Sequence, residues 1–230
     1  MRALSFVSLC LVAVLGVGCG PPPRMLVTGP LATSPATAIT NRPGMFTGTE
    51  MPFAPWRATD WHESWRPEEL GRYAERFSDF PGEHPFAFTL TRDGAAVRQV
   101  GCRGLATVNG TAWTYVVRCG VWDAGGTGET AVLEVDIMSG GELTVWLESE
   151  DATYPVSPVT MTDTGRVRPE PYGYSIAAAE GAIAAVQTSN PYQVWMDSSA
   201  DQELQADCAA ALAALVEGYA WSDAHFRAHR

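Results

Sequence analysis

The amino-acid sequence predicts an α+β, β-rich protein, in which antiparallel hairpins form a curved sheet or barrel packed on a buried C-terminal helix. Two observations carry this prediction. Between residues 84 and 197, short runs of alternating apolar and polar residues are separated by turn signals such as Asp93-Gly94 and Asn109-Gly110. Residues 199–218 are instead rich in alanine and leucine at helical spacing.

The chain begins with the pattern of a secretory signal. Arg2 supplies one positive charge, and residues 3–18 are uncharged and mostly apolar. This stretch is shorter than the roughly 20 residues that span a bilayer, so we expect residues 1–18 to be a signal peptide. The residues LGVGC, which end at Cys19, resemble the lipobox of bacterial lipoproteins. This resemblance implies that a peptidase cuts before Cys19 and that Cys19 carries a diacylglycerol.

Two other fates of this segment stay open. An ordinary signal peptidase could cut after Gly18 and leave Cys19 as a free N-terminal thiol, or the segment could stay as an uncleaved anchor. The resemblance to lipoproteins implies an exported, membrane-anchored protein. Gly20 is not the Asp that retains many lipoproteins at the inner membrane, which points to the outer membrane of a Gram-negative bacterium. Residues 19–43 are rich in Pro, Thr and Ala, and we expect an extended tether.

Residues 44–230 are predicted to form one globular domain of common size. Its first part, residues 44–82, begins with residues 44–66. These residues carry three tryptophans, Trp56, Trp61 and Trp65, and fit neither a strand period nor a helix period. We expect an irregular segment followed by a short helix. The tryptophans are candidate recognition residues because tryptophan is enriched at binding hot spots. The alternative is that they cap the core.

Two cysteines of the predicted sheet, residues 84–197, are candidates for a disulfide. If Asn109-Gly110 is a two-residue loop, Cys102 lies one pair short of Cys119. A four-residue loop over residues 109–112 places the two directly opposite each other, within disulfide reach. Both registers put them on the same face, so we predict a Cys102–Cys119 disulfide, with Cys208 as a buried thiol.

The C-terminal helix is predicted over residues 199–218. Ser199 and Gln202 have the spacing of a capping box, and Gly218 is expected to end the helix. A helix that is apolar all round is usually buried. Hairpins followed by such a helix resemble, in pattern, the tubby and phospholipid-scramblase architecture, a β-barrel around a central C-terminal helix. The alternative is a curved sheet with the helix on one face.

Charge and motifs limit the chemistry. The net charge is −11, and all fifteen basic residues are arginine. This acidic balance argues against nucleic acid as a partner. The sequence has no GxSxG, no phosphate loop and no GxGxxG, so we expect no catalytic residues and no cofactor. His62 lies in DWHE without an HExxH motif, and His225 and His229 are four positions apart but within the last six residues, where a chain end usually frays. We therefore expect no metal.

Three functional hypotheses follow. We favour a lipid-anchored envelope protein, attached to the membrane through Cys19, whose domain is a non-enzymatic binding or structural module for an envelope protein or polymer. The second hypothesis is a carrier or sensor of an apolar ligand held inside a β-barrel. The third is an envelope hydrolase that uses carboxylates crowded in one hairpin. These are Glu134, Asp136, Glu148, Glu150 and Asp151.

Overall fold

The protein is described by a computed structural model over residues 22–41, 50–62, 84–109, 112–126, 129–138, 145–149 and 152–228. Within these ranges, twelve strands form one antiparallel sheet in the order β1-β12-β11-β10-β9-β8-β7-β6-β5-β4-β3-β2. The strands are β1 (Thr37–Ala38), β2 (Met51–Phe53), β3 (Trp56–His62), β4 (His84–Arg92), β5 (Ala95–Asn109), β6 (Ala112–Asp123), β7 (Glu129–Met138), β8 (Val145–Ser149), β9 (Ala152–Val159), β10 (Gly173–Ala178), β11 (Gly181–Gln187) and β12 (Gln193–Met196).

The sheet curls into a nearly closed barrel around one helix, α1 (Gln202–Ala228). The helix contacts strands from both halves of the sheet, including β3, β5, β6, β8 and β11, and every residue from 206 to 218 is buried. Much of this stretch is alanine, whose small side chain lets the strands close tightly around the helix. The predicted fold class, α+β and β-rich with a buried C-terminal helix, is therefore confirmed. The sheet surrounds the helix and does not merely lie on one face of it.

Turn chemistry sets the hairpins. Asp93 and Gly94 have φ angles of 51° and 85°, and Arg92 pairs with Ala95 across them. Asp-Gly is favoured in a two-residue loop whose residues are both left-handed, because the turn then matches the twist of the strands.

Among the described residues, no helix is both long enough and apolar enough to cross a bilayer.

The register of β5 and β6 decides between the two cysteine alignments. Val108 pairs with Trp113, which is the register of the longer loop, and Cys102 lies directly opposite Cys119. The two cysteines are joined as a disulfide, with Cα atoms 4.0 Å apart and both side chains in the core. Cys208 is a free, buried thiol. Burial raises its pKa, and the neighbouring Asp207 carboxylate adds to this effect.

Residues 50–62 of the tryptophan-rich segment form a hairpin and not an irregular coil, so the expectation is corrected for this part. Strand β3 pairs with β2 on one side and with β4 on the other. In the pairing with β4, β3 has one extra residue between Thr59 and His62. This β-bulge contains Asp60, whose φ is 53°. The extra residue shifts the alternation, so that Trp56 and Trp61 both pack on the core although they are five positions apart. The predicted helix after residue 66 lies outside the described residues.

The predicted tether is also corrected for residues 22–41, which are docked on the outside of the sheet. The Met25 amide donates to Gln187 Oε1 at 2.7 Å, and Met25 and Leu31 are buried against Tyr172 and Trp195. A 3-10 helix, Gly29–Thr33, packs on β11. The apolar side chains of this segment are too few to give a periodic pattern. They are sufficient to hold the segment on the sheet because the sheet supplies the other members of the apolar cluster.

Both predicted helix ends are wrong. The carboxylate of Asp201 accepts hydrogen bonds from the amides of Glu203 at 2.7 Å and Leu204 at 3.4 Å, so Asp201 is the N-cap, and Ser199 donates to Asp197 instead. The helix also continues through Gly218. A Cβ at Gly218 would lie 3.3 Å from Val117 Cγ2, so this glycine permits close packing on β6 and does not end the helix.

Candidate functional site

A cavity of about 400 Å³ lies where the two edges of the sheet approach each other, beside the first turn of α1. Its walls come from the edge strand β1, the turn between β2 and β3, the end of β4, the end of β12 and the start of α1. The lining residues are Thr37, Phe53, Ala54, Pro55, Trp56, Arg92, Val194, Met196, Ser198, Ala200, Gln202 and Gln205.

One side chain gives the cavity its charge. Arg92 is the charged residue among those that line it, and within the described part of the chain no carboxylate lies within ion-pair distance of its guanidinium. The guanidinium carbon lies 5.0 Å from the centroid of the Trp56 ring. A cation over an indole face is stabilised by the ring quadrupole. The cavity is therefore locally positive in a chain of net charge −11.

The local sequence explains why these groups meet. Trp56 and Arg92 are directly opposed in the pairing of β3 with β4, and each is adjacent to a turn. Phe53 and Trp56 are almost completely buried, at 1% and 3% exposed, and flank the Ala54-Pro55 turn. The two aromatic rings form a rigid apolar wall, and Arg92, which is half-buried, supplies the charged group beside it.

The opposite wall is fixed by the start of α1. Gln205 Nε2 donates to the carbonyl of Ala200 at 2.6 Å and to that of Ser198 at 3.3 Å, which holds the loop before the helix. Gln202 lies in the first helical turn and is exposed. Arg92 and Gln202 offer a cation and an amide to the cavity, and the buried rings of Phe53 and Trp56 form the apolar wall behind them. This set fits a small ligand that joins an anionic group to a flat or apolar part.

The three candidate recognition tryptophans are not gathered into one surface among the described residues. Trp56 lines the cavity. Trp61 stacks on Phe88, with ring centroids 4.4 Å apart, and its indole Nε1 donates to the Ala58 carbonyl at 3.2 Å. Trp61 is thus a half-buried residue that packs against the core. Trp65, like Cys19, for which lipidation is predicted, lies outside the described residues.

An ion network centred on the buried Arg98 joins the start of α1 to the barrel wall. Arg98 donates from Nε to Asp207 at 2.8 Å, from Nη1 to Asp123 at 2.7 Å, and from Nη2 to Glu203. Asp207 also accepts from Thr130 at 3.0 Å and Ser149 at 3.1 Å. Burial alone would lower the pKa of Arg98, but the hydrogen bonds to Glu203 and Asp207 outweigh it and the pKa is raised. Because the Arg98 guanidinium and the Asp207 carboxylate find their hydrogen-bond partners within the protein, we interpret this network as structural.

A second buried polar cluster lies near the other end of α1. His84 stacks on Trp221 with ring centroids 4.4 Å apart, and its Nδ1 lies 3.2 Å from the Tyr115 hydroxyl. Burial raises the pKa of Tyr115, and the negative charge of Glu217 adds to the rise. His84, Tyr115 and Trp221 are not among the residues that line the cavity, so we assign no ligand to this cluster.

The carboxylates considered for hydrolysis are only partly described. Glu134 is bound by Arg118, the opposed residue on β6, with Nε and Oε2 2.8 Å apart. Glu148 is exposed on β8. Glu150, Asp151 and the side chain of Asp136 lie outside the described part. Across that part, no three His, Cys, Asp or Glu side chains are grouped to hold a metal.

Sequence reasoning finds Trp56 but misses Arg92, which looks like any other arginine before a turn. Only the register of β3 with β4 shows that Arg92 lies opposite Trp56, beside a cavity with no acidic lining residue. In comparisons with known proteins, no family model, no curated protein and no solved structure matches the chain.

Proposed function

We propose that this chain is a lipid-anchored cell-envelope protein whose folded domain is a non-enzymatic binding module, and that the cavity beside Trp56 and Arg92 is its binding site. One observation carries the site: a guanidinium without a carboxylate partner among the described residues stacks on a buried indole in a cavity with no acidic lining residue. The ligand class that fits is a small anionic molecule, or an anionic group of an envelope polymer, with an apolar portion.

The cell-envelope part of the proposal has separate support. The lipobox-like LGVGC at Cys19 follows an apolar signal-like stretch. The Cys102–Cys119 disulfide is consistent with an oxidising compartment. The proposed location is the outer membrane of a Gram-negative bacterium.

The two alternative functions have weaker support. An apolar ligand inside the barrel would need the space that residues 206–218 of α1 fill with buried side chains. A hydrolase would need carboxylates free to act on a substrate, but Glu134 is held in its ion pair with Arg118.

The test is the native mass of the full-length protein, extracted from its own envelope in mild detergent. The covalent mass reports acylation at Cys19, and any additional mass reports a non-covalent ligand. We expect bound mass in the wild type and its loss in Arg92→Gln. The matched control is Arg57→Gln, because Arg57 is exposed and paired with Glu50 away from the cavity. A bare wild-type mass, or a ligand that Arg92→Gln retains, would overturn the assignment of this site.

A further inference from the structure

A tight hairpin follows β9 and runs beside the first described residues of the chain. Met161 and Val167 form a bridge in it, and the amide of Gly165 donates to the Thr162 carbonyl at 2.9 Å across the turn. The N-terminal segment pairs with this hairpin, because Met25 bridges Thr162. We call residues 160–168 the Met161–Val167 hairpin.

The outer side of this hairpin is unusually apolar. Met161 is 39% exposed and Val167 is 60% exposed, and they are the exposed large apolar side chains found in the described ranges. As bridged partners they project on the same side. Thr162 and Met25 project on the opposite side and are buried. The two exposed side chains therefore form one small apolar patch on an otherwise polar surface.

Cations flank the patch. Arg24 and Arg166 are exposed, and neither has a carboxylate within ion-pair distance among the described residues. Arg168 is held by the carbonyls of Glu170 and Pro171 and stacks on Tyr172. The acidic groups nearby in the chain, Asp163 and Glu170, are also exposed. Three cations against two anions make this region locally positive in an acidic protein.

The path of the chain places this patch next to the proposed lipid anchor. The Asp163 amide donates to the Arg24 carbonyl at 3.0 Å, so the segment before Met25 heads toward the hairpin tip. Cys19 is three residues before Pro22, the first described residue. Three residues span at most about 11 Å. If Cys19 is acylated, as the proposed function requires, the lipid surface lies within that reach of Pro22.

We propose that the Met161–Val167 hairpin is the surface by which the domain rests on the lipid bilayer. Met161 and Val167 enter the interfacial region, and Arg24 and Arg166 bind lipid phosphate groups. This inference rests on the proposed lipid anchor at Cys19. The cavity lies at the other end of the sheet: β12 begins at Gln193, beside Gln187 at the hairpin end, and ends at Met196, which lines the cavity. A domain seated on the hairpin therefore directs its binding site away from the membrane.

The experiment uses the full-length acylated protein in vesicles of phosphatidylethanolamine and phosphatidylglycerol that carry a nitroxide lipid quencher. One variant, Val167→Cys, carries an environment-sensitive fluorophore at the hairpin. The control, Ala95→Cys, carries the same label at an exposed site at the start of β5, by the cavity end. Cys102 and Cys119 are paired, Cys208 is buried, and acylation blocks the thiol of Cys19, so none of these four cysteines competes for the label. We expect a blue shift and a several-fold loss of emission at residue 167, with little change at residue 95.

Each other outcome overturns the proposal in a recognisable way. If the mass shows acylation but the label at residue 167 is not quenched, the hairpin assignment fails while the lipid anchor stands. If the label shifts to the blue without quenching, the hairpin is covered by something other than lipid. If the mass shows no acylation, the lipid anchor fails and the hairpin assignment fails with it. Adding Arg24→Gln and Arg166→Gln to Val167→Cys is expected to reduce the quenching.

Discussion

Arg98 and Asp207 form an ion pair in which both side chains are almost completely removed from water, at 4% and 3% exposed, with Arg98 Nε and Asp207 Oδ1 2.8 Å apart. Arg98 lies near the start of β5, and Asp207 lies in the second turn of α1. The pair therefore fixes the axial position of the helix within the barrel. Because Thr130 and Ser149 also donate to Asp207, the carboxylate ties the helix to three strands.

Removing one member of this pair is expected to be costly. Asp207→Ala leaves the Arg98 guanidinium buried with an unbound Nε–H, and we expect a loss of about 3–5 kcal/mol in the free energy of unfolding. The control is Asp123→Ala. Asp123 binds the same guanidinium but is 53% exposed, so its loss should cost less than about 1 kcal/mol. Urea denaturation measures both, and equal losses would contradict the interpretation that burial makes the difference.

Two buried tyrosines are expected to respond oppositely to loss of the hydroxyl. Tyr174 is fully buried, and its hydroxyl has no hydrogen-bond partner among the described residues, so Tyr174→Phe should be neutral or stabilising by about 1 kcal/mol. The Tyr115 hydroxyl contacts His84, so Tyr115→Phe should cost about 1 kcal/mol. Thermal unfolding of both variants checks this pair, and a large destabilisation by Tyr174→Phe would reveal an interaction of its hydroxyl.

The same tyrosines predict a loss of stability in alkaline solution. Burial raises the pKa of Tyr174, and Tyr219 adds to the rise. In the unfolded chain a tyrosine ionises near pH 10. The folded state keeps its proton, so this contribution to stability is complete below about pH 10 and is lost as the pH rises above it. Urea midpoints should therefore fall above about pH 10, and less steeply in Tyr174→Phe.

Gly173 is expected to tolerate no side chain. A Cβ there would lie 1.9 Å from the Val186 carbonyl oxygen and 2.6 Å from Met25 Sδ. The carbonyl belongs to the neighbouring strand and cannot rotate away, so Gly173→Ala should cost about 1–3 kcal/mol or more. The same change should release Met25, which limited proteolysis of the N-terminal segment would detect. An unchanged cleavage pattern would argue against the docking of this segment.

Reduction of the Cys102–Cys119 disulfide is expected to lower the free energy of unfolding. The bond closes a loop with a sequence separation of 17 residues, and loop entropy of this size corresponds to about 3 kcal/mol. The measurement is urea denaturation with and without reductant. Cys208→Ala should show the same effect of reductant, whereas the double variant Cys102→Ala and Cys119→Ala should show none.

Local chemistry made part of the fold predictable. The Asp93-Gly94 turn selects its own geometry, and alternation of the flanking residues fixes which side chains face inward. The cysteine alignment followed from counting along β5 and β6 once one loop length was chosen. The C-terminal stretch is apolar on all sides of a helix and has no polar face to expose to water. This pattern indicated a helix covered by the sheet on more than one side.

Other features depend on contacts between distant parts of the chain. The bulge at Asp60 turns Trp61 toward the core, and it is defined only by the pairing of β3 with β4. In the sequence alone, the bulge therefore appears as an interrupted alternation of apolar and polar residues. Met25 is buried because Gln187, far along the chain, accepts its amide hydrogen bond. Gly218 reads as a helix end until Val117 is seen to pack against it. Arg92 likewise becomes a candidate binding residue only when the sheet edges meet.

The position of α1 after all twelve strands in the sequence has a consequence for the order of folding. The segment that fills the barrel is synthesised later than every strand that surrounds it. Until it emerges, the inward-facing residues of the strands have no core to pack on. The barrel is therefore expected to reach its compact state only after α1 has been synthesised, and not strand by strand as the hairpins appear.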